Sequence, residues 1–374
     1  MKQTVRNGMK ERTGKGMSCC LAALCLLSML FLPFTGLSEE AKAGTEILIS
    51  FTGDCTLGGE DRLQNKDYSF QGYIAREGYG YPFDKVREVF ENDDLTVINL
   101  EGVLYDYTRN RVEKTYNFRG PADYAKILGQ SGIELNFLGN NHTFDYGIQG
   151  YRSTVKALES AGQNWFAVTD EGIKTWIYEK NGVKIGFTGA NITYYARRPD
   201  MLIKSFEQLR EAGCAFIVGV MHGGEEYGPG PNRSIQRFAR FLVDQGAGLV
   251  IGHHPHVLHG IEIYNGASIV YSLGNFAFGG NAKIRERRTM IAQAFLRFDE
   301  DGQYTEHQLN LLPAYVSGVE EYNNYQPVLA EGAQAQAIID LVDSLSEMKL
   351  APYEEGKGAL QAPVKAREIP RGGE

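Results

Sequence analysis

The sequence predicts an α/β fold built around a parallel sheet. Hydrophobic residues make up 43 % of the 374-residue chain and charged residues 22 %, a balance typical of globular domains with a large core. Within residues 45–160, a short apolar strand, a polar loop and a helix follow one another three times. Because parallel strands are joined by such crossover helices, this order places the three polar loops at one edge of a sheet.

The elements of this layer are marked by β-branched strands and by helices with apolar residues at helical spacing. The strands are predicted at 45–52, 95–100 and 133–138, and the helices at 82–92, 121–130 and 148–160. Pro82 and Pro121 open two of these helices, a position where the missing N–H costs nothing. Residues 61–81 are predicted as a polar loop.

The second half is richer in strands and contains two tight hairpin turns, Asn181-Gly182 and Asn265-Gly266. Strands are predicted at 165–168, 174–179, 183–189, 214–221, 260–264, 268–271, 289–298 and 304–314, and helices at 205–212, 232–245 and 334–348. Four regions follow: residues 1–43, a main domain at 44–320, a helical segment at 321–350, and a tail at 351–374 that is predicted to be disordered.

Residues 1–43 are predicted to be a signal peptide or an N-terminal anchor. A basic stretch precedes the apolar run Met17–Leu32, and Ala41-Lys42-Ala43 offers a small-x-small cleavage site. An uncleaved anchor is the alternative. Either reading places the rest of the chain outside the cytoplasm, secreted or held at the cell envelope. There Cys55 and Cys214 allow one disulfide but do not require it.

The net charge of −8 argues against a nucleic-acid partner, because no basic stripe is present to neutralise phosphates. A different chemistry is indicated by Gly252–His259, which holds four of the seven histidines of the chain. Imidazoles packed this densely repel one another when charged, and neutral imidazole is the commonest metal ligand. The stretch therefore predicts a metal site, and a His-rich polar surface loop is the alternative.

Other strand ends carry the same kind of residue. Taken together, the candidate ligands that follow predicted strands are Asp54, Glu101, Asn141 with His142, His222, and the histidines at 253–256. Asp54 alone could simply cap a turn. As a set, carboxylate, amide and imidazole ligands without a thiolate suit Zn, Mn or Fe, and they are numerous enough for two divalent metals. Such a pair can assist displacement at phosphorus.

The motifs around these candidate ligands resemble those of a known family. They are Gly53-Asp54, Asn99-Leu100-Glu101, Gly139-Asn140-Asn141-His142, His222-Gly223-Gly224 with Glu226-Tyr227, Gly252–Val257, and Ser272-Leu273-Gly274-Asn275-Phe276. Their order resembles the bacterial capsule-synthesis CapA family of the poly-γ-glutamate type, which is itself similar to calcineurin-like metallophosphoesterases. The resemblance covers roughly residues 46–280. It implies a four-layer α/β/β/α sandwich with a metal centre at the strand ends.

The resemblance also implies roles for individual residues. The implied metal ligands are Asp54, Glu101, Asn141, His222, His254 and His256. His142 would be the catalytic general acid. His253 is either a ligand or a partner of one, whereas Glu226, Asp145 and Asn275 would contact ligands or substrate. Arg119 could meet an anionic group, and a surface ion pair is the alternative.

The chain departs from the phosphoesterase pattern at two positions and from the capsule-family pattern at a third. The usual Asp-x-His reads Asp54-Cys55-Thr56, so one histidine ligand is missing, and Glu101 replaces an aspartate. Gly223 stands where the capsule family often has a tryptophan. The first two departures leave open whether two metals bind well and whether phosphoester hydrolysis is retained.

Three hypotheses about function follow. The first is an exported metal-dependent hydrolase of the phosphoesterase type, acting on a phosphoester or an anionic polymer. The second is a non-catalytic component of polymer assembly or export that works with membrane-embedded ligase or export proteins. The third is an inactive binding domain with a vestigial site.

Overall fold

The computed structural model describes residues 44–366. Its strands are β1 (Thr45–Thr56), β2 (Leu95–Leu100), β3 (Val103–Leu104), β4 (Arg119–Gly120), β5 (Leu135–Phe137), β6 (Asn164–Val168), β7 (Ile173–Lys174), β8 (Trp176–Lys180), β9 (Val183–Asn191), β10 (Phe216–His222), β11 (Leu249–His253), β12 (Ile261–Tyr264), β13 (Ala267–Val270), β14 (Asn275–Phe278), β15 (Arg288–Phe298), β16 (Tyr304–Tyr315), β17 (Val328–Leu329), β18 (Ala359–Leu360) and β19 (Val364–Lys365). The α-helices are α1 (Phe70–Glu77), α2 (Arg87–Glu91), α3 (Ala125–Gly129), α4 (Gly147–Ser160), α5 (Ile192–Arg197), α6 (Pro199–Glu211), α7 (Arg233–Asp244) and α8 (Gly332–Leu345), and Tyr81–Phe83 and Ala122–Tyr124 form 3₁₀ turns.

Two large sheets organise these strands, which confirms a mixed α/β fold. The first has 11 strands in the order β17-β16-β15-β1-β2-β5-β6-β7, with β14 beside β1 and both β18 and β19 beside β16. As predicted, β1, β2 and β5 run parallel. The second sheet has the order β12-β13-β11-β10-β9-β8, with β9, β10, β11 and β13 parallel. The remaining strands, β3 and β4, form a separate pair.

Three clusters of buried apolar side chains hold the sheets and helices together. The largest contains side chains of both sheets, for example Phe51 of β1 and Phe187 of β9, together with residues of α8. A second packs the other side chains of β1 and β2 against α1 to α4. The third packs β10 and β11 against α6 and α7, where Phe206 and Phe238 are fully buried.

Several predicted elements are shorter or broken. The helix predicted at 82–92 is a 3₁₀ turn followed by α2, and the helix predicted at 121–130 is a 3₁₀ turn followed by α3. The predicted loop at 61–81 contains α1, whose N-terminus is capped by the Ser69 hydroxyl accepting from the Gly72 N–H. By contrast, Asn232 caps α7 as predicted.

The prediction of a disordered tail from residue 351 is wrong for the part that the structure describes. Here β18 and β19 pair antiparallel with β16, and Ala359, Gln361 and Val364 are buried. These strands form because β16 offers them an unpaired edge, a tertiary influence that local composition does not reveal. Residues 367–374 lie outside the described range.

The predicted signal peptide or anchor, residues 1–43, also lies outside the described residues. In the described range, no helix has both the length and the apolar character needed to cross a membrane. The two cysteines of that range, Cys55 and Cys214, are free thiols.

Candidate metal centre

The carboxyl ends of strands from both sheets meet at one cluster of ligand-type side chains. Within it, two groups of three have ligand atoms within 4.8 Å of one another: Glu101 with His254 and His256, and Asp54 with Glu101 and His222. Glu101 belongs to both groups. Both groups are therefore candidate sites for a divalent cation, and the Glu101 carboxylate is common to them.

Asp54 is the fully buried centre of the hydrogen-bond network around these groups. Its Oδ1 accepts from the Asn99 amide at 2.8 Å, and its Oδ2 accepts from the His254 backbone N–H at 3.2 Å. Imidazole nitrogens of His253 and His256 lie 3.1 Å from its two oxygens. Although burial opposes ionisation, these imidazoles hold the pKa of Asp54 well below its usual range.

β1 can bring Asp54 to this place because Gly53 has no side chain. A Cβ there would lie 2.2 Å from the Gly274 carbonyl oxygen, the acceptor of the Asp54 N–H at 2.9 Å. β14 therefore approaches β1 closely and places Asn275 opposite Asp54 in the register.

Glu101 follows β2, and its side chain is fully buried. Among the described residues, neither of its carboxylate oxygens has a hydrogen-bond partner. Burial, reinforced by the negative charge of Asp54, raises the pKa of Glu101 well above its usual range. An unpaired buried carboxylate is costly, and proteins retain such a group where a cation pairs with it.

His222, Asn141 and His254 crowd together beside the carboxylates. Nε2 of His222 is 2.6 Å from Oδ1 of Asn141 and 3.1 Å from Nδ1 of His254. Burial lowers the pKa of His222 well below its usual range, and burial together with the charge of His256 lowers that of His254 to about 4. Both imidazoles are therefore neutral at neutral pH, which is the form that binds metal.

The loop after β11 presents its histidines through an unusual backbone. His254 has φ of 100° and His256 has φ of 59°, conformations that cost free energy in residues other than glycine and that concentrate at functional sites. Nδ1 of His256 is 2.9 Å from Oδ1 of Asn275. Burial opposes protonation of His256, but the Asp54 carboxylate raises its pKa to about 9.

The structure separates His253 from its neighbours. His253 is the last residue of β11, and its ring stacks on Phe137 of the core with centroids 6.2 Å apart. Its Nδ1 contacts Asp54 Oδ1, but it belongs to neither group of three. Of the two alternatives for His253, this placement favours a partner of Asp54 over a metal ligand.

His142 faces Glu101 from the opposite side, with 3.5 Å between its Nε2 and a Glu101 oxygen. Its Nδ1 lies 2.7 Å from Asp145 Oδ2, and its ring stacks on Phe118 with centroids 4.3 Å apart. The Asp145 carboxylate only accepts, whereas Lys114 Nζ, 3.1 Å from the same Nδ1, only donates, so Nδ1 has partners of both kinds and Nε2 faces Glu101. Burial lowers the pKa of His142, and Asp145 opposes that effect.

Sequence reasoning missed three residues that support this arrangement. Asn99 donates to Asp54, and its Oδ1 accepts from Asn140 at 2.9 Å, so two amides join the three strands of the parallel layer. Lys114 Nζ reaches Asp145 Oδ1 at 2.5 Å and the Asn141 carbonyl at 3.0 Å. Asn99 could have been noticed because it is an asparagine inside the apolar strand 95–100. Lys114 lies in a charged loop, where no such signal distinguishes it.

The structure places two predicted site residues away from direct contact. Glu226 is exposed on the loop after β10, where its charge favours protonation of His256. Arg119 is largely buried and pairs with Asp61 at 2.5 Å, and it also donates to the Tyr105 carbonyl. Of the two alternatives for Arg119, the ion pair is the one observed.

One departure from the phosphoesterase pattern and the departure from the capsule-family pattern each have a local explanation. Thr56, at the position of the missing histidine, is buried and donates at 2.8 Å to the Glu101 backbone carbonyl. Gly223 leaves no room for a side chain, because a Cβ there would lie 2.7 Å from the Ile192 side chain. Beside Gly223, a cavity of about 570 Å³ opens onto Asn141, His222 and His254, with Arg197 also in its lining.

Comparison with known proteins agrees with the motifs. The family described as "Bacterial capsule synthesis protein PGA_cap" matches residues 48–280. "PGA biosynthesis protein CapA" of Bacillus subtilis is 28 % identical over 319 residues, which cover 79 % of this chain and 80 % of that protein. "Capsule biosynthesis protein CapA" of Bacillus anthracis is 30 % identical over 246 residues, covering 60 % of each chain.

A more distant relative carries a different description. "Probable polyglutamine synthesis accessory protein" of Mycobacterium tuberculosis is 25 % identical over 272 residues, covering 63 % of this chain and 70 % of that protein. The family match spans β1 to β14 and includes every predicted ligand. The chain is therefore a member of the bacterial capsule synthesis PGA_cap family, to which CapA proteins belong.

Proposed function

We propose that this protein is an exported component of capsule or poly-γ-glutamate biosynthesis with a metal-dependent, phosphoesterase-like site. The observation that carries the proposal is Glu101, a fully buried carboxylate shared by two groups of ligand-type side chains and without a hydrogen-bond partner in the described range. A structural carboxylate would have a donor or a cationic side chain beside it. A pair of cations satisfies both oxygens at once.

The proposed metals are of the Mn, Zn or Fe type. Their proposed ligands are Asp54, Glu101, Asn141, His222, His254 and His256. The donor set fits these ions, since it is made of carboxylate, amide oxygen and neutral imidazole. Metals bound there would polarise phosphoryl oxygens and lower the pKa of water, as in other phosphoesterases with paired metals. Asp54 would give up its contact with protonated His256 when a metal takes the place of that proton.

His142 is the proposed proton carrier. Nδ1 of His142 is held by Asp145, and the ring is fixed against Phe118. Nε2 is therefore the nitrogen that can exchange a proton with a substrate bound next to Glu101. Protonated at Nε2, His142 would deliver that proton to the departing oxygen of a phosphoester. The cavity beside Gly223 gives the substrate access, and Arg197 supplies positive charge at its rim.

The same proposal assigns the four-layer α/β/β/α sandwich of metallophosphoesterases. It is supported by the three apolar clusters, one between the two sheets and one under each set of helices. Export is supported by the basic and apolar pattern of residues 1–43. Mapping the N-terminus of the mature protein would show whether the segment is cleaved or retained as an anchor.

The hydrolase proposal is tested by metal content and turnover. The full-length protein should retain metal and hydrolyse a generic aryl phosphate in the presence of Mn²⁺ or Zn²⁺. Asp54→Ala should lose metal and activity, and His142→Ala should lose activity but keep metal. The matched control is His307→Gln, at a histidine far from the site, and this variant should lose neither metal nor activity. Protein without metal, or turnover unchanged in both site variants, would overturn the proposal.

A second function is favoured by the description of the M. tuberculosis relative as an accessory protein. In this alternative the chain assembles with membrane-embedded ligase or export proteins, and its metal site binds the polymer without cleaving it. The prediction is that deleting the gene lowers surface polymer, and that membrane proteins co-purify with both the wild type and His142→Ala. If surface polymer is unchanged and no membrane protein co-purifies, this alternative fails.

A further inference from the structure

The cavity beside Gly223 opens directly onto the candidate metal centre. Three of the proposed ligands, Asn141, His222 and His254, belong to its lining. A molecule in this cavity therefore touches the ligand set itself. The volume of about 570 Å³ lies within the range of about 300–1,000 Å³ for small-molecule sites, so the cavity can hold more of a substrate than its reacting phosphoryl group.

Helix α5 connects the metal centre to an arginine of the same lining. The helix follows Asn191, which lies opposite His222 in the register of β9 and β10, and it ends at Arg197. With a rise of 1.5 Å per residue, the Arg197 backbone lies about 9 Å along the helix from that strand end. The ring of Tyr195 stacks on the buried Phe238 of α7 with centroids 4.3 Å apart, which holds the helix in place.

The lining of this cavity carries positive charge, although the net charge of the chain is −8. Arg197 and Arg198 belong to it, and among the residues that the structure describes no carboxylate does. Arg198 is already paired, because its guanidinium donates to both oxygens of Asp200, at 3.1 and 2.9 Å. Arg197 is exposed, and no carboxylate of the described range lies within ion-pair distance of it. Its guanidinium is therefore available to a ligand.

We propose that Arg197 binds a second anionic group of the substrate, a carboxylate or a phosphate, while the reacting phosphoester lies at the metals. The inference rests on the proposed function for the phosphoester, and it narrows the substrate class to phosphoesters that carry a further negative charge. A guanidinium pairs with either anion through two parallel hydrogen bonds. Because α5 separates Arg197 from the strand end, the second anion is a group distinct from the reacting phosphoryl and several bonds away from it.

The first test measures binding without turnover, with benzylphosphonates whose C–P bond is not hydrolysed. Their para substituent is a carboxylate, a second phosphonate, or a neutral carboxamide of the same shape as the carboxylate. Isothermal titration calorimetry of the Mn²⁺-loaded full-length protein should show that at least one dianion binds about tenfold more tightly than the carboxamide. The tighter of the two identifies the anion that Arg197 takes.

Two neighbouring arginines supply the variant and its matched control. Arg197→Gln should remove the preference for the dianion, and Arg198→Gln should keep it, because Asp200 already holds the Arg198 guanidinium. The inference is overturned if the wild type binds the carboxamide as tightly as both dianions, which would make Arg197 a solvated surface residue. A preference that survives in Arg197→Gln, or that falls equally in both variants, would also overturn it.

Turnover separates this inference from the proposed function. The substrates are phenyl phosphates with the same three para groups, and Arg197→Gln should lower the ratio of kcat/KM for the preferred dianion over the carboxamide about tenfold, mainly through KM. Binding of the phosphonates that depends on Arg197, without hydrolysis of any ester, would refute the proposed function but keep the anion site. Hydrolysis of all three esters by the wild type with equal kcat/KM would refute the anion site alone.

Discussion

Nδ1 of His142 lies 2.7 Å from a carboxylate oxygen of Asp145, and this contact turns the other ring nitrogen toward Glu101. The same carboxylate is tied to the Phe118 backbone N–H at 2.6 Å and to Lys114, so its position is itself fixed. The direction of the imidazole is thus fixed, with Nε2 toward Glu101.

Replacing Asp145 by Asn should slow turnover while leaving metal content unchanged. The amide can donate to Nδ1 and so stabilise the wrong tautomer, which turns the lone pair of His142 away from the site. We expect kcat to fall about tenfold or more, up to the roughly 10²–10⁴-fold that a general acid contributes. The measurement is steady-state kinetics with metal analysis on the same samples; loss of metal together with activity would instead make Asp145 a structural residue.

Replacing Glu101 by Gln should remove the response of the protein to metal without destabilising the metal-free form. Burial raises the pKa of Glu101 above its ordinary value of 4.5, so the metal-free fold loses stability as the pH rises above 4.5, and the variant lacks this loss. Saturating Mn²⁺ at 100 times its Kd should stabilise the wild type by about 2.7 kcal/mol. Thermal unfolding at pH 8 with EDTA or Mn²⁺ measures both effects, and an equal rise in Tm for the variant would contradict a bridging role.

His307 should make the protein lose stability in mild acid. Burial lowers its pKa to about 4, and it lies between the sheets, with Nε2 2.7 Å from the Ser268 hydroxyl and Nδ1 2.6 Å from the Tyr304 hydroxyl. Since the unfolded imidazole binds a proton below its ordinary pKa of 6.5, stability is lost as the pH falls from 6.5 to 4, by about 3 kcal/mol in total.

The comparison variant is His307→Gln, which can bond both hydroxyls and does not titrate. Denaturant unfolding of the metal-free proteins at pH 7 and pH 5 should show a smaller loss of unfolding free energy for this variant. Equal losses in the two proteins would mean that His307 does not titrate differently in the folded and unfolded states.

Removing the C-terminal strands should destabilise the protein. A chain ending at Leu350 lacks Ala359 and Val364, which are buried against β16, and we expect a loss of at least about 2 kcal/mol from the apolar area and strand pairing given up. A chain ending at Ala366 is the control and should unfold like the full-length protein. If both truncations unfold at the same temperature, β18 and β19 contribute nothing to stability.

Elements whose conformation is decided by their local sequence were predicted well, and elements that depend on tertiary contacts were not. The strand at 95–100 was predicted to the residue, because a run of β-branched apolar side chains decides its own conformation. Asp54, Glu101 and Asn141 lie at strand ends of one parallel layer, which share an edge as expected, whereas His222 and His254 follow strands of the second sheet and meet them there. That argument needed no side-chain geometry.

What could not be predicted depended on tertiary contacts. The tail strands form on the edge of β16, and α1 is a short helix made stable by burying Phe70 and Ile74. Lys114 reaches Asp145 only because the loop before β4 folds back over the site. None of these contacts leaves a periodic signal in the local sequence.

Anomalous diffraction from crystals grown with Mn²⁺ tests whether Glu101 lies between two metal ions, as proposed. We expect two anomalous peaks per chain, one on each side of the Glu101 carboxylate, with His254 and His256 at one and Asp54 and His222 at the other. A single peak away from Glu101, or none at full Mn²⁺ saturation, would contradict it.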